Sequence, residues 1–255
     1  MANKNWTYDE TLLAFELYCR IPFGKINSTH PEIKKLAILL NRTSAAVSMK
    51  MGNIARLDPD EISRGVKGLS NGAKLEKTIW EDFNKDNETL IQKACTLREK
   101  LSKELGVAST LIPDNTPIGT TREAIIKQRV GQSFFRATVL ASYDFKCCLT
   151  GISVPAFLTA SHIKPWKDSD GKEKTNPRNG LCLNALHDRA FDKGFITLDN
   201  DYRIVVSDKL KKAKNLDQVT RDFIVDTEHK QIMLPAKFKP SKEFIQFHND
   251  VVFLR

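Results

Sequence analysis

The chain has 255 residues, of which 41% are hydrophobic and 28% charged, with a formal net charge of +9. That length allows two modest domains with a sizeable core, and no apolar run is long enough to span a bilayer. The basic balance suits a polyanionic partner, because lysine and arginine release condensed counterions when they meet phosphates.

Residues 1–57 read as helical. Thr7 is a helix N-cap with Glu10 three residues on, which makes a capping box. Leu12, Leu13, Phe15, Leu17 and Tyr18 follow in an amphipathic pattern that Pro22-Phe23-Gly24 breaks. Pro31 opens a second helix with Ile33, Leu36, Ala37 and Leu40 on one face. Asn41-Arg42 makes a turn, and Thr43 caps a third helix running to about Arg56. The third helix places Val47, Met51 and Ile54 on one face and Ser44, Ser48, Lys50, Asn53 and Arg56 elsewhere. Two short helices joined by a tight turn, the second polar and basic, have the layout of a helix-turn-helix. Those five polar residues are candidate DNA contacts. A small helical bundle used for packing or dimerisation is the alternative.

Residues 65–74 read as a flexible connection, and 75–105 as a charged helical region of one or two helices. Pro113 and Pro117 mark 106–121 as a linker. The expected division is a helical DNA-recognition domain at 1–105, a linker at 106–121 and a second domain at 122–255. Lys127, Arg129, Gln132 and Arg136 lie on a partly helical stretch at its start, where Arg129 and Arg136 are candidate phosphate contacts. Further on, residues 195–198 and 202–206 bracket Asp199-Asn200-Asp201, a hairpin signal. The basic run at 209–214 reads as solvated surface. Ser241 begins a final helix in which Phe244, Ile245, Phe247, His248 and Val251 pack. His229 and His248 are expected to lie outside catalysis.

The five cysteines are Cys19, Cys95, Cys147, Cys148 and Cys182, with no Cys-x-x-Cys pair. A four-cysteine zinc site is therefore not expected. Cys147, Cys148 and Cys182 read as small buried residues. The odd count, without a signal peptide, points to a reducing cytoplasm.

The chemistry concentrates at 147–194. Ala160-Ser161-His162-Ile163-Lys164-Pro165-Trp166 is followed by Asn179-Gly180-Leu181-Cys182-Leu183, then by His187-Asp188-Arg189-Ala190-Phe191-Asp192-Lys193-Gly194. The first stretch reads as a strand ended by Pro165 and Trp166. Residues 168–174 read as an exposed hairpin loop, 177–180 as a tight turn, 181–183 as the return strand and 184–191 as a short helix. A histidine, an asparagine and a second histidine with an aspartate beside it follow in order. Phosphodiester hydrolysis needs such a set: a base to activate water, a residue to fix the base and ligands for a divalent cation.

These separated motifs together resemble the HNH (ββα-metal) endonuclease family, in a restriction-endonuclease-like branch with an Ala-Ser-His-Ile-x-Pro-Trp strand and an Asn-Gly-Leu turn. The Arg-Val-Gly-Gln-Ser-Phe-Phe-Arg string is similar to the segment preceding the core in that branch. The Trp-Thr opening and the Leu-Leu-Asn-Arg-Thr-Ser turn are similar to a helix-turn-helix module often fused to it. The resemblance implies an α+β chain, with an N-terminal helical (helix-turn-helix-like) domain followed by a ββα-metal HNH nuclease domain.

It further implies that His162 is the general base and Asn179 the brace that orients it. Matching Asn179-Gly180 and Phe191-Asp192 to the family pattern puts Asp188 at the metal-ligand position. His187, one residue earlier, is the second choice, since adjacent helical residues point about 100° apart. Ser161 stands where many members carry an aspartate or histidine, so metal binding would lean on the helix residue, the DNA phosphate and water. Arg178 and Arg189 are candidate phosphate contacts. The implied activity is that of a metal-dependent DNA endonuclease of restriction type, with modified DNA a candidate substrate. The implied cofactor is Mg²⁺ or Mn²⁺. The expected partners are double-stranded DNA and a second copy of the chain, with no membrane and no small-molecule substrate. A non-catalytic DNA-binding regulator that keeps the fold is the rival expectation.

Overall fold

The computed structural model describes residues 5–66, 74–106 and 120–255. Most of the expected connection at 65–74 and of the linker at 106–121 lies outside the described residues. The chain forms two compact units, Met1–Thr138 and Val139–Arg255.

In the first unit, α1 (Tyr8–Arg20) is followed by α2 (Pro31–Leu39), α3 (Ser44–Ala55), α4 (Pro59–Ser63), α5 (Lys74–Phe83) and α6 (Asn87–Glu104). Helix α7 (Thr120–Ser142) begins in this unit and ends in the next. The capping box of α1 is formed: Glu10 N donates to Thr7 Oγ1 at 3.2 Å and Thr7 N to Glu10 Oε2 at 2.8 Å. Pro31 opens α2 and Thr43 caps α3. Asn41, between them, takes a left-handed φ of 49°, which asparagine tolerates better than most residues.

Where the pattern predicted an amphipathic α1, every residue from position 10 to 19 is buried. Helices α2, α3, α5 and α6 all pack against α1, so it is the hub of the unit and its polar positions go inside with it. Those positions are compensated. Glu10 pairs with Arg42, whose guanidinium also stacks on Trp6 at 4.3 Å. Glu16 takes both Arg20 and Arg98, and Tyr18 donates to Asp58 at 2.7 Å. Burial alone would raise the Glu16 carboxyl, but the two arginines overcome it and hold the group at about 2.

The second unit holds β1 (Leu158–His162), α8 (Gly171–Thr175), β2 (Gly180–Asn184), α9 (Ala185–Asp192), β3 (Ile196–Leu198), β4 (Ile204–Val206), α10 (Asp208–Lys211), α11 (Gln218–Phe223) and α12 (Lys242–Val251). Strands β1 and β2 pair antiparallel, with His162 opposite Gly180, Ser161 opposite Leu181 and Leu158 opposite Asn184. Helix α9 packs on both strands, giving a strand–strand–helix unit. Strands β3 and β4 form the second hairpin, with Ile196 opposite Val206. The turn into β3 needs Gly194, at φ 72°: a Cβ there would lie 2.1 Å from the carbonyl oxygen of Val252. Cys147, Cys148 and Cys182 are buried small residues, and Cys148 N donates to Cys182 O at 2.8 Å.

The segment read as an exposed hairpin loop is more ordered than its composition implies. It contains a 3₁₀ turn (Trp166–Asp168) and α8. Asp170 and Glu173 make a second capping box, with bonds of 2.8 and 2.9 Å, which satisfies the first-turn donors of a helix too short to stand by propensity. Among the described residues, no helix is long and apolar enough to cross a membrane.

Candidate active site

His162 is the last residue of β1, where the chain leaves the sheet. Asn179, fully buried at the start of β2, catches the outgoing strand. Its carbonyl accepts from Ile163 N at 2.9 Å and its Oδ1 from Lys164 N at 2.8 Å. Its Nδ2 is shared among Lys164 O (3.2 Å), Glu173 O (3.3 Å) and Ser169 Oγ (3.4 Å). Asn179 thus ties both ends and the middle of the β1–β2 connection together.

The half-buried ring of His162 lies against that connection. Its Nε2 is 3.0 Å from the carbonyl oxygen of Lys174. A carbonyl can only accept, so Nε2 carries the proton and Nδ1 the lone pair. The Trp166 ring meets the imidazole edge-on at 5.4 Å, and the Lys174 ammonium lies 5.2 Å from the Trp166 ring centre. Burial lowers the His162 pKa below 6.5, against the opposing pull of the Lys174 carbonyl. The ring is therefore neutral at pH 7.

Asn184 ends β2 and caps α9, its Oδ1 accepting from Leu186 N and His187 N at 3.1 and 3.0 Å. Asp188 follows in the first turn of α9, where the nearby Ser161 hydroxyl favours its charged form. Burial raises the Asp188 carboxyl, Asp192 adds to that, and Ser161 and Arg189 oppose it.

His187 corrects the second-choice ligand expectation. It is fully buried, its Nδ1 accepts from Asn184 Nδ2 at 2.8 Å, and its Nε2 donates to Phe223 O at 2.8 Å. Both nitrogens are engaged and the lone pair is used, so the ring anchors α9 and has nothing to offer a cation. His248 is likewise internal, bonded to Thr197 Oγ1 and Phe191 O and stacked on Phe191.

The donors at the site are oxygens: one carboxylate and one hydroxyl. Among the described residues, no group of three His, Cys, Asp or Glu side chains could hold a metal ion. That set fits a hard cation such as Mg²⁺, which binds through one or two carboxylates and keeps water or substrate phosphate for the rest of its shell. It does not fit a closed zinc cage.

The other predicted residues scatter. Arg178 is half-buried; its Nη1 reaches Lys239 O at 3.4 Å, and its carbonyl accepts from Ser241 N. Arg189 is exposed, 3.7 Å from an exposed Asp192. Arg129 and Arg136 are exposed on α7. On α3, Ser44, Ser48, Asn53 and Arg56 are half-buried, with Arg56 Nε bonded to Asn53 O. Lys50 is a correction. It is 6% exposed and pairs with the buried Glu76, its ammonium 4.9 Å from the Trp6 ring centre, so it is not presented to a ligand. Met49, which polarity had passed over, is 60% exposed on the same helix. The role of Glu173 also went unread, although Asp170-x-x-Glu173 is a legible capping pattern.

No curated protein matches the chain. Residues 147–199, which span β1, β2, α9 and β3, match the HNH endonuclease family model HNH_2.

Proposed function

We propose that the protein is a metal-dependent DNA endonuclease of restriction type, with His162 as general base. One observation carries this reading: the His162 ring, in a segment that matches the HNH endonuclease family model, is bonded through Nε2 to the Lys174 carbonyl and so carries its lone pair on Nδ1. Nδ1 of His162 takes the proton of the attacking water, and Asn179 keeps the ring's support in place. Asp188 would hold Mg²⁺ or Mn²⁺, which when bound stabilises charge on the phosphate and the departing 3′ oxygen. Ser161 orients the carboxylate. Arg178 and Arg189 are proposed phosphate contacts of the second unit, and Arg129 and Arg136 on α7 are proposed phosphate contacts in their own right.

The α2–turn–α3 element is proposed to select the DNA site, with Ser44, Ser48, Asn53 and Arg56 as contacts. Residues 1–105 would then serve recognition, 106–121 would be the linker and 122–255 would serve cleavage. A homodimer would bring two sites to the two strands, in the cytoplasm, with modified duplexes as the candidate target.

A second reading, a DNA-binding regulator with a weakened metal site, is favoured by the single carboxylate and by Ser161 beside it. Purified protein incubated with unmodified, methylated and hydroxymethylated duplexes, in Mg²⁺ or Mn²⁺, separates the two. Discrete cleavage that is lost in His162→Ala supports the endonuclease. No cleavage of any duplex, with salt-sensitive binding retained in chelator, supports the regulator.

A further inference from the structure

We propose that the Lys164–Glu173 ion pair is a positioning device for His162, and that Glu173 is its central member; the kinetic part of this rests on the nuclease reading above. Glu173 acts through three groups at once. Its carboxylate accepts from Asp170 N at 2.9 Å, closing the cap of α8. Both carboxylate oxygens bind Lys164 Nζ, at 2.8 and 2.7 Å. Its backbone carbonyl accepts from Asn179 Nδ2, and the next carbonyl, that of Lys174, holds the His162 ring.

Lys164 is tied at the other end. Asn179 binds both its backbone N–H and its C=O, and Ser169 Oγ donates to the same carbonyl. Its ammonium also lies 5.1 Å from the ring centre of Phe247 on α12, a cation–π contact. A closed circuit therefore runs from His162 through the Lys174 and Glu173 peptide to the Glu173 carboxylate. It continues through Lys164 and returns along the backbone through Ile163 to His162, the last residue of β1.

The Lys174 carbonyl chooses the ring tautomer, and it can do so while its peptide is held in one orientation. Helix α8 has five residues and does not hold that orientation by its own hydrogen bonds. An exposed ion pair would add little. This one is two-pronged, with side chains 18% and 25% exposed, and it spans the loop. Its effect is on where Lys174 O points.

The test uses the full-length chain, ¹⁵N-labelled on histidine, as wild type, Glu173→Gln, Glu173→Ala and Lys164→Met. Spectra of the His162 ring nitrogens, assigned with His162→Ala, report the tautomer without reference to cleavage. Melting curves set the temperature at which every variant is folded. The wild-type ring is expected to be a single Nε2–H tautomer. Glu173→Ala and Lys164→Met are expected to mix tautomers and to lower kcat by about ten- to a hundredfold, with KM within about twofold. Glu173→Gln keeps the cap of α8 and is expected to fall between them. Folded Glu173→Ala and Lys164→Met with the wild-type ring spectrum would overturn the proposal. A wild type that cuts no duplex would overturn the nuclease reading, while the ring spectra still decide the positioning role.

Discussion

The Nε2 atom of His162 lies 3.0 Å from the carbonyl oxygen of Lys174, twelve positions further along the chain, and the intervening segment is folded so that this contact is made. The carbonyl places the ring proton on Nε2 and leaves the lone pair on Nδ1. Burial then keeps the ring neutral at pH 7. In the proposed function, this side chain and this peptide group together make the base for water.

Replacing His162 with alanine is expected to lower duplex cleavage by about 10²–10⁴-fold and to leave DNA affinity in chelator close to wild type. In the proposed mechanism the active form is the neutral ring, and burial lowers its pKa below 6.5. Cleavage should therefore rise with pH through a midpoint below 6.5 and be flat around pH 7. A midpoint above 6.5 in the pH–rate profile would contradict the burial argument.

Asp188→Asn preserves the shape of the side chain while removing the charge. The expected result is loss of cleavage across a Mg²⁺ and Mn²⁺ titration, with the melting temperature nearly unchanged. His187→Gln should do the reverse. Because His187 bridges Asn184 and Phe223 inside the core, it should lower the melting temperature first and leave the metal-concentration dependence in place.

Asn179→Ala removes bonds to both backbone groups of Lys164 and to the Glu173 carbonyl. The Lys164 N–H would lose its acceptor, while the Lys164 carbonyl keeps Ser169 Oγ and the Glu173 carbonyl keeps Asn176 N, so a cost of about 1–3 kcal/mol is expected in urea unfolding. At temperatures where the variant is folded, kcat should fall with the lost positioning.

In the first unit, Lys50→Met should strand the buried Glu76 carboxylate, whose Oε2 has no hydrogen-bond partner. A loss of about 3–5 kcal/mol is expected, largely recovered when Glu76→Leu is added. Arg56→Ala should barely change the melting temperature but should reduce the salt slope of DNA binding by about one. If Lys50→Met changed that slope without destabilising the fold, the burial assignment would be wrong.

Acid should reach Glu16. Its carboxyl is held at about 2 against an ordinary 4.5 by Arg20 and Arg98. A depressed carboxylate contributes stability that is fully present above the unfolded value and is lost as pH falls toward the folded one. Urea midpoints should therefore drop between about pH 4.5 and 2, by on the order of 3 kcal/mol from this group. In Glu16→Gln that share of the drop should be absent.

Much of this was legible in the residue order. The caps of α1 and α3, the hairpin after Gly194 and the spacing of His162, Asn179 and Asp188 are local or periodic features, set by groups a few residues apart. What only the tertiary structure decided were the roles of residues whose partners are distant in the chain. Lys50 reads as a free cation on a helix face until Glu76, 26 residues on, is packed against it. His187 reads as a ligand until Phe223, 36 residues on, takes its second nitrogen. Glu10 reads only as a capping residue, and α1 as a helix with one apolar face, until four helices close around it and bury Glu10 and Glu16 as well. Side-chain type sets what a group can bond to; the fold sets whether that capacity is already used.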